Sequence, residues 1–283
     1  MPIDVEKLLS YPIPEVRQSL TRQQTAFYAL SVGVGCEPLD ERQLRFVDYR
    51  RDLQALPSMA LVLGHPGFWL GDPQSGVDPK SVVHGEQAIT LHADLPVEGD
   101  VIGKTEIVGL VDKGEGQGAL LYTRKHIHAV DDGRLLASTL STTFLRGGGG
   151  FGGDNTPQGR AHVTPDTAPD FSIDLPTRPE QALYYRMNGD DNPLHADPAV
   201  AKAAGFTQPI LHGLCTFGVV CHALIRTLGR YDPTSLRSMA LRFSSPVLPG
   251  ETLRSEIWRD GSFRARVVER DALVVSNGLA TFA

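Results

Sequence analysis

The stretch Gly189-Asp190-Asp191-Asn192-Pro193-Leu194-His195 packs two acids, an amide and an imidazole into one short segment. A carboxylate beside an imidazole can hold a water and move its proton, because each group tunes the other's proton affinity toward neutrality. Asp190 and His195 are separated by Pro193, so neither helix nor strand periodicity sets their spacing. A tight, Pro-stiffened turn would bring both side chains to one point. Asn192 supplies an amide that can orient the same water. Asp190 and Asn192 also have a purely structural reading, as turn and capping residues. Asp191 points to solvent if Asp190 points inward. A metal site made of Asp190, His195 and His212 is conceivable, but its spacing matches no metal-ligand signature. No metal or redox cofactor is expected.

Downstream, His212-Gly213 opens a long apolar run. Unpaired amides at a helix start favour a negative oxygen, and Gly213 has no side chain to block one. Its N–H is therefore a candidate oxyanion donor. A water-activating pair close to such a donor suits chemistry at the β-carbon of a carbonyl compound, with charge developing on the carbonyl oxygen as an enolate.

These groups need a scaffold. Asp197-Pro198 reads as a helix start and Gly205 as its end. From His212 to Leu228 the residues Leu214, Phe217, Cys221, Leu224 and Leu228 recur at helical spacing, with Gly229 closing the run. Such a helix spans roughly 25 Å, enough to lie across a sheet. Strands follow at Ser238–Phe243, Thr252–Arg259, Phe263–Glu269 and Leu273–Phe282, with turns at Asp260-Gly261 and Arg270-Asp271.

The first half has a similar plan. A helix is expected from Thr21, its N-cap, to Gly33, and a more exposed one over 40–56. Pro57–Leu63 reads as a buried strand and Gly64–Lys80 as loop. Strands are expected at Glu86–Leu95, Val101–Val111, Leu120–Val130 and Leu135–Leu145, with Asp132-Gly133 as a hairpin turn. His126 and His128 read as surface or edge residues and His222 as structural. Leu95-Pro-Val-Glu-Gly-Asp-Val in this half echoes Leu248-Pro-Gly-Glu-Thr-Leu in the other, which suggests two copies of one α+β unit. Arg146-Gly-Gly-Gly-Gly-Phe-Gly-Gly153 is either a linker or a loop approaching a ligand, with Phe151 as an aromatic platform; the Lys-Ser/Thr of a phosphate loop is absent.

The 283 residues are 41% hydrophobic and 21% charged, with net charge -6. An acidic balance argues against a nucleic-acid partner. Cys36, Cys215 and Cys221 form no close pair, as expected in a reducing compartment. The N-terminus lacks a signal-peptide pattern, no apolar run reaches membrane-spanning length, and Ala280–Ala283 is not a peroxisomal address. A cytoplasmic protein with no membrane partner is expected.

The run Gly189–His195, then Asp197-Pro198, Gly205-Phe206 and Pro209-Ile-Leu-His-Gly-Leu214, resembles the MaoC-like (R)-specific enoyl-CoA hydratases, and most closely the hydratase 2 unit of peroxisomal multifunctional enzyme type 2. Val83-His84-Gly85-Glu86-Gln87, Asp112-Lys113-Gly114 and the glycine tract look like the same family. The resemblance implies a double hotdog: two units, each a long helix wrapped by an antiparallel sheet. It implies a non-catalytic, acyl-accommodating unit at 1–153, a linker at 154–176 and a catalytic unit at 177–283. It implies reversible hydration of trans-2-enoyl-CoA to (R)-3-hydroxyacyl-CoA in fatty-acid metabolism. Asp190 and His195 would be the catalytic pair, Asn192 would help hold the water, and Gly213 would bind the thioester oxygen. His84, Gly85, Lys113, Asp191, Pro193, Leu194 and Phe243 would contact the acyl-CoA, with Phe151 near the ligand and Arg146 and Arg186 in support. A thioesterase on the same fold and a non-catalytic acyl-CoA binder are the alternatives. With no fused dehydrogenase or sterol-carrier domain, a stand-alone bacterial enzyme is expected, and the resemblance allows a homodimer.

Overall fold

The computed structural model describes residues 3–153, 156 and 161–283, so positions 154–155 and 157–160 of the linker expected at 154–176 lie outside the described residues. Strands β1 (Val16–Leu20), β2 (Val82–Leu91), β3 (Gly99–Asp112), β4 (Ala119–Ala129) and β5 (Leu135–Leu145) come from the first half. Strands β6 (Phe171–Pro176), β7 (Leu236–Phe243), β8 (Thr252–Ile257), β9 (Ser262–Val267) and β10 (Ala272–Phe282) come from the second. All pair antiparallel in one sheet of order β1-β3-β4-β5-β2-β7-β10-β9-β8-β6. Outward from the β2–β7 junction the two halves run in the same order, β2-β5-β4-β3-β1 and β7-β10-β9-β8-β6. The sheet thus has a pseudo-twofold centred where Ala88 pairs with Ala240. The two Leu-Pro segments join β2 to β3 and β7 to β8, as the repeat predicts.

The helices are α1 (Val5–Ser10), α2 (Arg22–Ser31), α3 (Leu44–Val47), α4 (Gln181–Arg186), α5 (Pro198–Ala203) and α6 (Gly213–Thr227). Thr21 caps α2 through a reciprocal box: its hydroxyl accepts from the Gln24 amide and the Gln24 side chain accepts from the Thr21 amide. Asp197 caps α5 by accepting from the Ala199 and Val200 amides, and Gly205 follows with φ +89°. The apolar stripe of α6 understates its burial. Residues 214–225 are all buried, because the sheet covers one side and the Pro57–Leu61 turn, with the end of α2, covers the other. A Cβ on Gly218 would lie 2.5 Å from the Val32 side chain, so the two helices meet at this glycine. The chain leaves α6 through left-handed Arg230 (φ 50°) and Tyr231 (φ 62°), not through Gly229.

Several expectations are corrected. Pro57–Leu61 is a buried 3-10 helix, not a strand. A short apolar run buried on every side carries no period, and Pro57 at its first position favours a helical start. Over 40–56 only a 3-10 turn at Glu41–Gln43 and α3 are helical, and Gln43 and Phe46 are buried. The end of the expected linker is strand β6, paired along its length with β8. Strand β1 was also missed in sequence; both outer strands are short and adjoin prolines, which masks their alternation. His126 and His128 are not at an edge, since β4 lies between β3 and β5. His126 Nδ1 sits 2.9 Å from the Ser138 hydroxyl. His222 is buried, and among the described residues neither ring nitrogen has a partner, as suits a neutral structural residue; burial pushes it down to about 4.

Candidate active site

After α4 the chain turns at Gly189 (φ +105°) into the polar segment. The Arg186 guanidinium donates to the Asp191 carbonyl at 3.0 Å, which fixes the entry. The Asn192 side-chain oxygen accepts from the Leu194 amide at 3.0 Å and starts one 3-10 turn, Pro193–His195. Asn192 therefore fills the structural role its type suggests, and among the described residues its Nδ2 group has no acceptor. Asp191 is exposed, as expected.

This turn brings His195 beside Asp190. The His195 Nδ1 lies 2.9 Å from the Ile210 carbonyl. A carbonyl only accepts, so Nδ1 carries the proton and Nε2 presents a lone pair. Burial holds His195 below the ordinary imidazole range, opposed by the Ile210 bond and by the Asp190 charge. The His212 ring stacks on His195, centroids 3.8 Å apart and planes 28° from parallel. His212 Nε2 donates to the Asp190 backbone carbonyl at 3.1 Å. His212 is 1% exposed, and burial, then His195, pushes it down to about 2. It is a neutral platform that fixes both the Asp190 backbone and the His195 ring. Stacked rings offer faces to each other rather than converging lone pairs, so Asp190, His195 and His212 are not arranged as a metal cage.

Gly213 begins α6. His212 precedes it without a side-chain cap, and among the described residues the Gly213, Leu214 and Cys215 amides have no protein acceptor. Gly213 is only partly buried, while the residues that follow it on α6 are buried. A Cβ there would lie 3.3 Å from the Phe243 ring, so glycine keeps this amide approachable. Phe243 ends β7 and meets His84 edge-on at 4.9 Å. His84 precedes a bulge at Gly85, where β2 changes register against β5. Gln87 uses its Nε2 on the Ala88 and Leu140 carbonyls, which leaves its oxygen to accept from His84 Nε2 at 3.0 Å. Burial lowers His84, against Gln87 and the Asp190 charge. Asp190, His195, Gly213, Phe243, His84 and Gly85 are thus contiguous.

Lys113 and Phe151 lie elsewhere along the same end of the sheet. Lys113 is exposed on the β3–β4 turn. Phe151 packs, as Trp69 and Val82 do, against a small buried core that includes Leu8, Leu70, Leu121 and Leu145. The glycine tract is not a free linker. The Asp112 carboxylate accepts from the Gly114, Gly150 and Gly152 amides, and these bonds hold it down to about 2. A Cβ on Gly149 would lie 2.3 Å from the Gly114 and Gly118 carbonyls. The tract is glycine-rich because it is pressed against the β3–β4 turn. Val82 and Ala119 both pair with Leu145, so this turn, the tract and His84 share one end of the sheet.

Two buried or half-buried titratable residues of the first half escaped the sequence reading. Lys125 is 4% exposed and its ammonium donates to the Leu61 and Leu63 carbonyls at 2.9 and 2.7 Å. Burial alone pushes it down to about 7. The signal was its phase: Lys125 falls on the inward face of β4 with Leu121, Ile127 and Ala129. His65 follows Gly64 and precedes Pro66, inside a segment read only as loop.

Compared with known families, residues 160–279 match a MaoC like domain and residues 19–147 an MFE-2 hydratase 2 N-terminal domain. The chain is 43% identical to a protein of Mycobacterium tuberculosis named 3-hydroxyacyl-thioester dehydratase Y, over 87% of this chain and 84% of that protein. It is 38% identical to Enoyl-CoA hydratase 2, peroxisomal, of Arabidopsis thaliana, over 95% of this chain and 92% of that one. The crystal structure of a MaoC-like dehydratase from Phytophthora capsici superposes with TM-score 0.84 at 31% identity, covering 99% of both chains. A Mycobacterium tuberculosis protein described as a double hotdog superposes with TM-score 0.58 at 16% identity, covering 95% of this chain and 94% of that one, a likeness of fold. The fold is a double hotdog. The cytoplasmic expectation is overturned: the Arabidopsis relative is named peroxisomal, as is the multifunctional enzyme type 2 of Drosophila melanogaster, 36% identical over 88% of this chain and 43% of that one.

Proposed function

The chain belongs to the MaoC-like hydratase 2 family, and we propose that it hydrates trans-2-enoyl-CoA to (R)-3-hydroxyacyl-CoA at Asp190 and His195. The observation that carries the site is the His195 Nδ1–Ile210 bond, which leaves Nε2 as an acceptor in the neighbourhood of the Asp190 carboxylate. Two acceptors can hold one water by its two hydrogens and leave its oxygen lone pair facing C3. As that oxygen bonds to C3, His195 Nε2 takes one water proton, and the Asp190 charge stabilises the imidazolium. The C2=C3 electrons move toward the thioester oxygen as an enolate, which the Gly213 amide at the start of α6 receives. The imidazolium then returns its proton to C2, so water is added and both side chains are restored. Asn192 Nδ2 is free to orient the water.

In this reading the first half accommodates the acyl chain and helps bind the thioester. His84, Gly85 and Phe243 line the approach to Gly213. Lys113 and Arg146, exposed at the same end of the sheet, supply positive charge for the polyanionic CoA on a protein of net charge -6. Both halves of the site come from one chain, so the chemistry does not depend on the homodimer that the resemblance allows. The test is activity of purified Asp190→Asn and His195→Gln proteins on enoyl-CoA substrates. Both are expected to lose turnover by roughly two to four orders of magnitude with melting curves close to wild type. Wild-type turnover in either variant would contradict the assignment.

A further inference from the structure

The inward face of the first half carries a band of polar side chains that the proposed mechanism does not use. Cross-strand partners share a face of the sheet. Ile89, Thr139, Lys125 and Thr105 therefore form one row across β2, β5, β4 and β3. Gln87, Ser141, Thr123 and Ile107 form the next row, and His84, Thr143 and Leu121 the one after it. Apolar clusters bound the band: Ile127 and Ala137 belong to the main core at one end, Leu121 and Leu145 to the small core at the other. The second half builds its inward face differently. Met239, Leu241, Val275, Ala265, Val267 and Leu253 all lie in the main core, and α6 packs against β6, β7 and β8 there. In the first half the short Pro57–Leu61 turn packs against β2 and β5 instead.

The band starts at the candidate site. His84 Nε2 lies 3.0 Å from the Gln87 side-chain oxygen and 3.1 Å from the Ser141 hydroxyl. His84 also meets Phe243, the ring that borders Gly213. Each further row is two residues along the strands, about 7 Å. Thr123 and Ser141 are only half-buried although β4 and β5 are interior strands. Among the described residues the hydroxyls of Thr123, Thr139 and Thr143 have no protein partner, and none of the three is sealed. The Thr105 hydroxyl, opposite Lys125, is sealed and unpartnered. Lys125 is held by the Leu61 and Leu63 carbonyls, so the band offers hydroxyls rather than an unengaged cation. A saturated chain laid on this surface would strip water from those hydroxyls and return no hydrogen bond, which is unfavourable. A chain with its own oxygen at that depth replaces the lost bond.

We propose that this band recognises the acyl tail, and that the preferred substrate carries a neutral hydrogen-bonding oxygen there, a hydroxyl or a keto group, roughly 7–14 Å from the His84 end. Thr123 and Thr139 are the specificity-determining residues, because their hydroxyls can donate to a keto oxygen and can both donate to and accept from a hydroxyl. The inference rests on the reading of the site as an enoyl-CoA hydratase, and its test separates the two.

Wild type, Thr123→Val, Thr139→Val and the double variant are compared on trans-2-enoyl-CoA substrates of equal chain length. One has a plain alkyl tail, one an ω-carboxylate, and a series bears one hydroxyl or keto group at successive carbons from mid-chain outward. Loss of enoyl absorbance gives kcat and KM, and each protein is melted. Valine keeps the shape of threonine and removes the hydroxyl. Wild type is expected to favour the best hydroxyl or keto substrate over the alkyl one by on the order of tenfold to a hundredfold in kcat/KM. In the double variant that ratio falls toward one, chiefly through KM. Should the double variant fail to fold, each single variant lowers the ratio by a smaller factor. Equal or better use of the alkyl substrate by wild type would overturn the inference, as would a ratio unchanged by the substitutions. Preference for the ω-carboxylate over every neutral substrate would overturn it too. Each of these results includes hydration and leaves the hydratase reading standing. No hydration of any substrate would overturn that reading and the inference with it.

Discussion

At the scale of single residues, the proposed chemistry depends on which ring nitrogen is free. His195 is committed through Nδ1 to a carbonyl, and burial favours its neutral form. Hydration through a neutral His195 should fall away as pH drops below the ordinary imidazole value of 6.5, and the half-point should lie under that value because the shift is downward. A kcat/KM profile with its acidic half-point above 6.5 would contradict this. Gly213 offers a second test. Gly213→Val would drive methyl groups toward the Phe243 ring, already 3.3 Å from a Cβ, and crowd the amide. Steady-state kinetics should show kcat lowered by on the order of a hundredfold, as for loss of an oxyanion donor. The sequence made Asp190, Asn192, His195 and Gly213 conspicuous because their types are dense and local. It hid the His212 platform, since a stacking partner is defined by a ring contact across a fold and not by spacing. It hid the surroundings of His65 and Lys125 for the same reason: these form only when β4 and the Gly64 turn are packed together.

At the scale of elements, the strands of the hairpin-rich stretches were legible, with β5 found at its observed bounds, because turn residues such as Asp132-Gly133 mark their ends. Strands β1 and β6 were not, since a short edge strand next to proline carries little alternation. The glycine tract shows how composition misleads. Its glycines read as flexibility, whereas Asp112 and the β3–β4 carbonyls fix them in place. Gly149→Ala should therefore destabilise by about 1–3 kcal/mol, as over-packing does, measurable by urea unfolding. An unchanged midpoint would mean that the tract yields as a linker would.

At the scale of the molecule, two copies of one unit form a continuous sheet, and the internal repeat was visible in only a few residues because the halves have diverged in all but connectivity. Burial of neutral histidines couples the whole fold to pH. Folded His65 and His222 lie near 4 and His212 near 2, while unfolded histidine lies near 6.5. Below 6.5 the unfolded chain binds protons that the folded one does not, so their contribution is complete above 6.5 and is lost as pH falls toward 4. Each such histidine gives a slope of about 1.4 kcal/mol per pH unit in that window. Melting temperature followed from pH 7 to pH 4 should fall steadily; a flat profile would mean that these imidazoles take up protons without leaving their sites.

The central claim is tested most directly by supplying crotonyl-CoA and a medium-chain trans-2-enoyl-CoA, following the loss of enoyl absorbance, and reading the product with (R)- and (S)-specific 3-hydroxyacyl-CoA dehydrogenases. The account predicts hydration that feeds the (R)-specific enzyme alone and no release of free CoA thiol. An (S) product, or thiol release without hydration, would contradict it.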